Sequence, residues 1–169
     1  MRRLVLLALL LTPCLLRAQH EVKLIELDYG IAAADIESKE KLSTSPSESH
    51  LVMGVVPHFL KRTDSIPATL GTQFAVAYRL EYEKDIIIPV TIRWTYPEGM
   101  KDSKGRSLHK TEYQIERPAK ADLSTFYVFE SENELVPGKW TLTILYQRRV
   151  LYKKDFYVFR QAFSHQTDH

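Results

Sequence analysis

Ile86-Ile87-Ile88-Pro89-Val90-Thr91-Ile92-Arg93-Trp94-Thr95-Tyr96 puts Ile86, Ile88, Val90, Ile92, Trp94 and Tyr96 in one two-residue phase. Successive side chains of an extended chain point to opposite faces, so this beat loads one face of a strand with large apolar groups. Upstream, Phe74-Ala75-Val76-Ala77-Tyr78-Arg79-Leu80-Glu81-Tyr82 repeats it, and downstream so do Trp140, Leu142, Ile144 and Tyr146. Weaker strands are expected over Val22 to Ala32, Ser49 to Leu60, Lys110 to Glu116, Ser124 to Phe129 and Val150 to Phe159. Turn-forming stretches separate them, among them Ser43-Thr44-Ser45-Pro46-Ser47, Tyr96-Pro97-Glu98-Gly99, Asp102-Ser103-Lys104-Gly105 and Val136-Pro137-Gly138. Only Ala32 to Leu42 offers a helix, and its apolar spacing is poor.

Many strands with one apolar face each are satisfied by two packed sheets or by a closed barrel. The expectation is all-β, an antiparallel immunoglobulin-like β-sandwich of about seven to eight strands. Lys139 to Tyr146 and Val150 to Phe159 read as a closing hairpin, yet Gln147-Arg148-Arg149 contains no glycine, which calls for a longer loop or a bulge.

The amino terminus reads as a signal peptide over residues 1–18, cleaved on export. Arg2 and Arg3 precede the apolar run Leu4 to Leu11, and small Ala18 offers a cleavage point. The run is shorter than the roughly 20 residues that cross a hydrocarbon core, and Pro13 and Arg17 interrupt it. Lipid anchoring at Cys14 is disfavoured by Leu11-Thr12-Pro13, which lacks the small pair expected before a lipidated cysteine. Residues 19–160 form a single domain on this reading, and residues 161–169 a polar tail. The expected location is periplasmic or secreted, with membrane contact only through the signal peptide before cleavage.

Removing Arg2, Arg3 and Arg17 takes the formal net charge of +2 three units down, to −1, so no global charge points to nucleic acid. The one cysteine lies in the leader, which leaves the domain without disulfides, thiol nucleophiles or thiolate metal sites. No Gly-x-Ser-x-Gly elbow and no Gly-rich phosphate loop occurs, and Ser65, Ser103 and Ser124 read as turn or strand-start residues. His50, His58 and His109 lack metal-ligand spacing, and His165 with His169 sit in the polar tail. No catalytic residue, metal or cofactor is assigned.

Two features suggest binding. Phe126-Tyr127-Val128-Phe129 and Phe156-Tyr157-Val158-Phe159 place rings on both phases of their strands. One phase must face the core, so Tyr127 with Phe129, or Tyr157 with Phe159, is a candidate second apolar surface. Lys139, Arg148, Arg149, Lys153 and Lys154 gather on the last hairpin, either as a basic patch or as charges that keep an exposed strand from pairing with other chains. Pro67 and Gly71 bracket the start of the Phe74 strand, and Pro137 and Gly138 do the same for Trp140. They are expected to set register and to place Trp140 in the core.

At Arg62-Thr63-Asp64-Ser65-Ile66-Pro67-Ala68-Thr69-Leu70-Gly71-Thr72-Gln73-Phe74 and Glu134-Leu135-Val136-Pro137-Gly138-Lys139-Trp140-Thr141 the chain resembles a bacterial exported family known only as domain of unknown function DUF3859. Asp28-Tyr29-Gly30-Ile31, Tyr96-Pro97, Gly105, Tyr113 and Phe156-Tyr157-Val158 fit in the same order. The resemblance implies an exported domain and supplies no catalytic residue. Ala75 and Arg148 stand where it leads one to expect glycine. The expected function is a non-catalytic binding or interaction module of the cell envelope, its partner an envelope protein or a surface glycan. The alternatives are an envelope-polymer hydrolase and an assembly protein that accepts a partner strand.

Overall fold

The computed structural model describes residues 21–33, 56–102 and 104–160. The strands are β1 Lys23–Ala32, β2 Phe59–Lys61, β3 Ser65–Pro67, β4 Gln73–Glu81, β5 Ile87–Thr95, β6 Lys110–Pro118, β7 Asp122–Val128, β8 Gly138–Tyr146 and β9 Arg149–Phe159. They form a four-stranded sheet in the order β2-β1-β4-β7 and a five-stranded sheet in the order β3-β9-β8-β5-β6. Pairing is antiparallel except between β3 and β9, which run parallel. The chain therefore changes sheet five times, between β2 and β3, β3 and β4, β4 and β5, β6 and β7, and β7 and β8, as a sandwich permits.

From Ile88 onward the alternation faces inward, whereas Ile86 lies before β5 and is exposed. Ile88, Val90, Ile92 and Trp94 of β5 meet Phe74, Val76, Tyr78 and Leu80 of β4, and all are buried. Phe74 sits at the centre of an aromatic cluster, its ring 5.0 Å from Phe156, 5.5 Å from Phe129, 5.7 Å from Trp94 and 5.8 Å from Tyr127. Edge-to-face and offset contacts of this kind add to the burial of apolar area. Trp140 enters the same cluster, 4.8 Å from Tyr96 and 5.0 Å from Tyr127.

The described residues hold nine strands against the seven to eight expected, because β2 and β3 are three-residue edge pieces. Of the strand expected from Ser49 to Leu60, Phe59 and Leu60 fall in β2 and Val56 to His58 are outside any strand, while residues 49–55 lie outside the described residues, as does most of Ala32 to Leu42. Ala75 occupies regular strand opposite Gly30 and Phe126, where extended backbone admits any residue.

The closing hairpin uses two residues and no glycine. Tyr146 pairs with Arg149, and the intervening Gln147 and Arg148 both take positive φ, 48° and 68°. These angles suit the twist of a two-residue hairpin, but side chains bearing a Cβ resist them. A register shift at Ile144/Leu145 accompanies the turn, so the bulge is present although the loop is short. The double substitution Gln147→Asn with Arg148→Gly is therefore expected to stabilise the domain by about 1 kcal/mol, a rise in Tm of roughly 3 °C. An unchanged or lowered Tm in calorimetry would show that the turn is unstrained.

Candidate functional site

Since Trp140, Leu142, Ile144, Phe156 and Val158 point into the core, their alternate neighbours on β8 and β9 cover the outer face of the five-stranded sheet. Register lines these side chains into rows. Ser65, Tyr157 and Lys139 form one row. Asp155, Thr141, Thr95 and Lys110 form the next, and Lys153, Thr143, Arg93 and Glu112 the third. Pro67 and Phe159 lie beyond the first row.

The aromatic end of this face is open, with Tyr157 51% and Phe159 43% exposed. Behind it runs a hydrogen-bonded polar lattice. The Thr141 hydroxyl donates to Asp155 Oδ1 at 2.7 Å, and Lys139 Nζ lies 3.7 Å from Asp155 Oδ2. Arg93 Nε donates to Glu112 Oε2 at 2.6 Å, with Lys110 Nζ 3.9 Å away. The Arg93 hydrogen bond holds the Glu112 carboxyl below the usual carboxylate range. Thr141 and Thr143 form the floor, their small side chains shaded by the longer ones beside them.

The two Phe-Tyr-Val-Phe runs resolve oppositely. In β9 the first and third residues, Phe156 and Val158, are buried and the second and fourth face out. On and just past β7 the second and fourth, Tyr127 and Phe129, are buried instead, because Phe74 pairs with Tyr127 and continues their phase inward. Tyr127 and Phe129 thus belong to the core and offer no second surface, in correction of that expectation.

The five basic residues do not form one patch. Lys139 and Lys153 share the outer face. Lys154 takes the opposite phase and sets its ammonium 3.1 Å from the centroid of the Tyr29 ring, a cation–π contact that ties β9 to β1. Arg62 packs over Tyr29 too, at 4.4 Å, and bonds Asp28 at 2.8 Å and Glu26 at 3.1 Å. Arg149 donates to the Val22 carbonyl at 2.8 Å and pairs with Glu21, while Arg148 occupies the turn. Alternation separates Lys153 from Lys154, so sequence proximity overstates their clustering.

At one end of the sandwich the motif around Trp140 is built for packing. Pro67 closes β3, and Gly71, at φ +80°, donates its amide to the Phe129 carbonyl at 2.8 Å as the chain turns toward β4. Gly138 has φ +133°, and a Cβ there would lie 2.8 Å from the Pro97 side chain, so Pro137-Gly138 lets β8 start close against Pro97. Trp140 Nε1 then donates to the Val136 carbonyl at 3.0 Å.

Glu134, which the sequence reading did not single out, is 2% exposed in a short 3-10 turn. Its Oε2 accepts the Glu130 and Ser131 amides at 2.6 and 3.0 Å, and its Oε1 accepts the Tyr127 hydroxyl at 3.1 Å. Ser131-Glu132-Asn133-Glu134 carries the spacing of a capping box, a signal that points to the reach-back bond. Burial pushes the Glu134 carboxyl up, against the opposing pull of its donors. Its oxygens are committed to local donors, so its altered acidity belongs to packing.

Among the described residues no group of three or more His, Cys, Asp and Glu side chains gathers to hold a metal ion. His165 and His169 lie outside them. No described helix is long and apolar enough to cross a membrane.

A family model described as "Domain of unknown function (DUF3859)" matches residues 20–158. The crystal structure of an immunoglobulin-like protein from Pseudomonas aeruginosa is similar at a TM-score of 0.61 and 26% identity, covering 84% of this chain and 99% of that one. A DNA-bound alkylpurine DNA glycosylase, AlkC, from Pseudomonas fluorescens overlaps at a TM-score of 0.35 and 14% identity, covering 56% of this chain and 27% of that one, too weak a likeness to carry an argument. No curated protein matches.

Proposed function

The chain belongs to the DUF3859 family of unknown function and has an immunoglobulin-like fold, and from that premise we propose that it is a non-catalytic binding module of the cell envelope that holds a surface glycan on the outer face of its five-stranded sheet. The observation that carries this reading is the pair Tyr157 and Phe159, two exposed rings on one strand face beside rows of hydroxyls and ion pairs. A pyranose has an apolar C–H face and a hydroxyl rim. Aromatic rings stack on the first, and Thr, Lys, Asp and Arg groups hydrogen-bond the second. The apolar leader before Gln19 supports an exported location.

Calorimetric titration against a panel of envelope polysaccharides is expected to find a binder. Tyr157→Ala and Phe159→Ala should each weaken it about tenfold, roughly 1.4 kcal/mol, with Tm kept near the wild-type value. If no polysaccharide binds, or both variants bind as the wild type does, the glycan reading fails. Crosslinking through the same face to an envelope protein would put a protein partner in its place.

A further inference from the structure

Arg117 presents a problem of charge. It lies on the inward phase of β6, opposite Ile88, and is 1% exposed. Nη2 donates to the Ser124 carbonyl of β7 at 3.2 Å, while Nε and Nη1 have no hydrogen-bond partner. A guanidinium does not shed its proton at any pH at which the protein folds, so the interior receives a full positive charge.

The acidic side chains of β6 and β7 lie away from Arg117. Glu112 pairs with Arg93 on the outer face, Glu116 is exposed on the phase opposite to Arg117, and Asp122 pairs with Arg79 at 2.5 Å. Tyr113 of β6, which senses the Arg117 charge, is neutral: burial pushes its hydroxyl up while that charge opposes the shift, and the buried Tyr78 and Thr125 hydroxyls, 3.3 Å from one another, are neutral as well. Water would satisfy the open N–H groups and leave the charge uncompensated, whereas a small anion answers both. β6 and β7 are each the edge strand of its sheet, and the Arg117 bond to the Ser124 carbonyl joins the two edges, so the site lies at the rim of the sandwich. Ile88, which pairs with Arg117, and Leu123 and Thr125, which flank Ser124, are all buried, and such close surroundings favour a compact ion over a large one.

We infer that Arg117 is the binding group of a small monovalent inorganic anion of about chloride size, held where β6 and β7 approach each other. The ion acts as a structural counter-charge that the sequence itself does not supply. This site is independent of the glycan face, since Arg117 points to the opposite side of its sheet.

Thermal unfolding at constant ionic strength tests it, with sodium gluconate exchanged stepwise for sodium chloride. The wild-type Tm is expected to rise by several degrees and saturate, and Arg117→Met is expected to lose that dependence. A flat wild-type response, or an equal rise in Arg117→Met, overturns the inference. Should the variant fail to fold, wild-type crystals grown in sodium bromide decide the matter. An anomalous bromine peak within hydrogen-bond distance of Arg117 Nε or Nη1 supports the site, and its absence overturns it.

Discussion

Trp140→Ala is expected to lower the unfolding free energy by about 4 kcal/mol, a fall in Tm of roughly 10 °C in calorimetry. The side chain is fully buried and touches four rings, those of Phe74, Tyr96, Tyr127 and Phe129, at centroid distances of 4.8 to 6.2 Å. Phe74 and Tyr127 belong to the four-stranded sheet, and Tyr96 and Phe129 to the segments just past β5 and β7, so no single movement closes the space the indole leaves. The cost of a cavity grows with the volume that fails to collapse. Trp140→Phe retains a ring but abandons the Nε1 bond to Val136, and should cost about 1 kcal/mol or more. A Phe variant as stable as the wild type would mean that Trp140 is replaceable filler, and that the Pro137-Gly138 turn does not exist to seat it.

What could be read beforehand depended on how far a pattern extended. The alternation from Ile88 to Tyr96 spans enough residues to fix both the strand and its buried face, although Ile86, in the same phase, falls before the strand and is exposed. β2 and β3 are three residues each, too short for any periodicity, and β3 lies parallel to β9 through a pairing that no local signal announces. The repeated Phe-Tyr-Val-Phe runs mark a sharper boundary. Identical four-residue strings bury opposite phases, because the choice is made by the neighbouring strand: Phe74 beside Tyr127 in one case, Trp140 beside Phe156 in the other. Sequence alternation specifies that two faces exist, and pairing decides which is inside.

The candidate glycan face was half legible for the same reason. Once Trp140, Leu142 and Ile144 are assigned inward, Lys139, Thr141 and Thr143 follow outward from β8 alone. Their alignment with Asp155, Thr95 and Arg93 rests on register, which the bulge at Ile144/Leu145 shifts. Arg117 was illegible on other grounds. A charged residue near the end of an edge strand ordinarily turns to solvent, and only the packed structure shows this one turned inward.

Glu134→Ala is expected to cost about 3 kcal/mol, because it strands two backbone amides and the Tyr127 hydroxyl in a buried place at once. Glu134→Gln separates the role of shape from that of charge. Its carbonyl oxygen can accept the Glu130 and Ser131 amides, and its amide can donate to the Tyr127 hydroxyl, so at acid pH it should fold within about 1 kcal/mol of the wild type. The two proteins should diverge as the pH rises. Burial raises the Glu134 pKa in the folded state above its unfolded value, so the unfolded chain releases this proton first. Its contribution is therefore fully present below the unfolded pKa of about 4.3 and is lost as the pH climbs through the folded pKa. Glu134→Gln lacks that loss. Urea unfolding of both proteins from about pH 4 upward should show the glutamine variant gaining on the wild type, with the difference levelling off once Glu134 is ionised in the folded protein. A difference that stays constant with pH, or moves in the wild type's favour, would mean that the three donors outweigh burial and that the carboxylate is held charged.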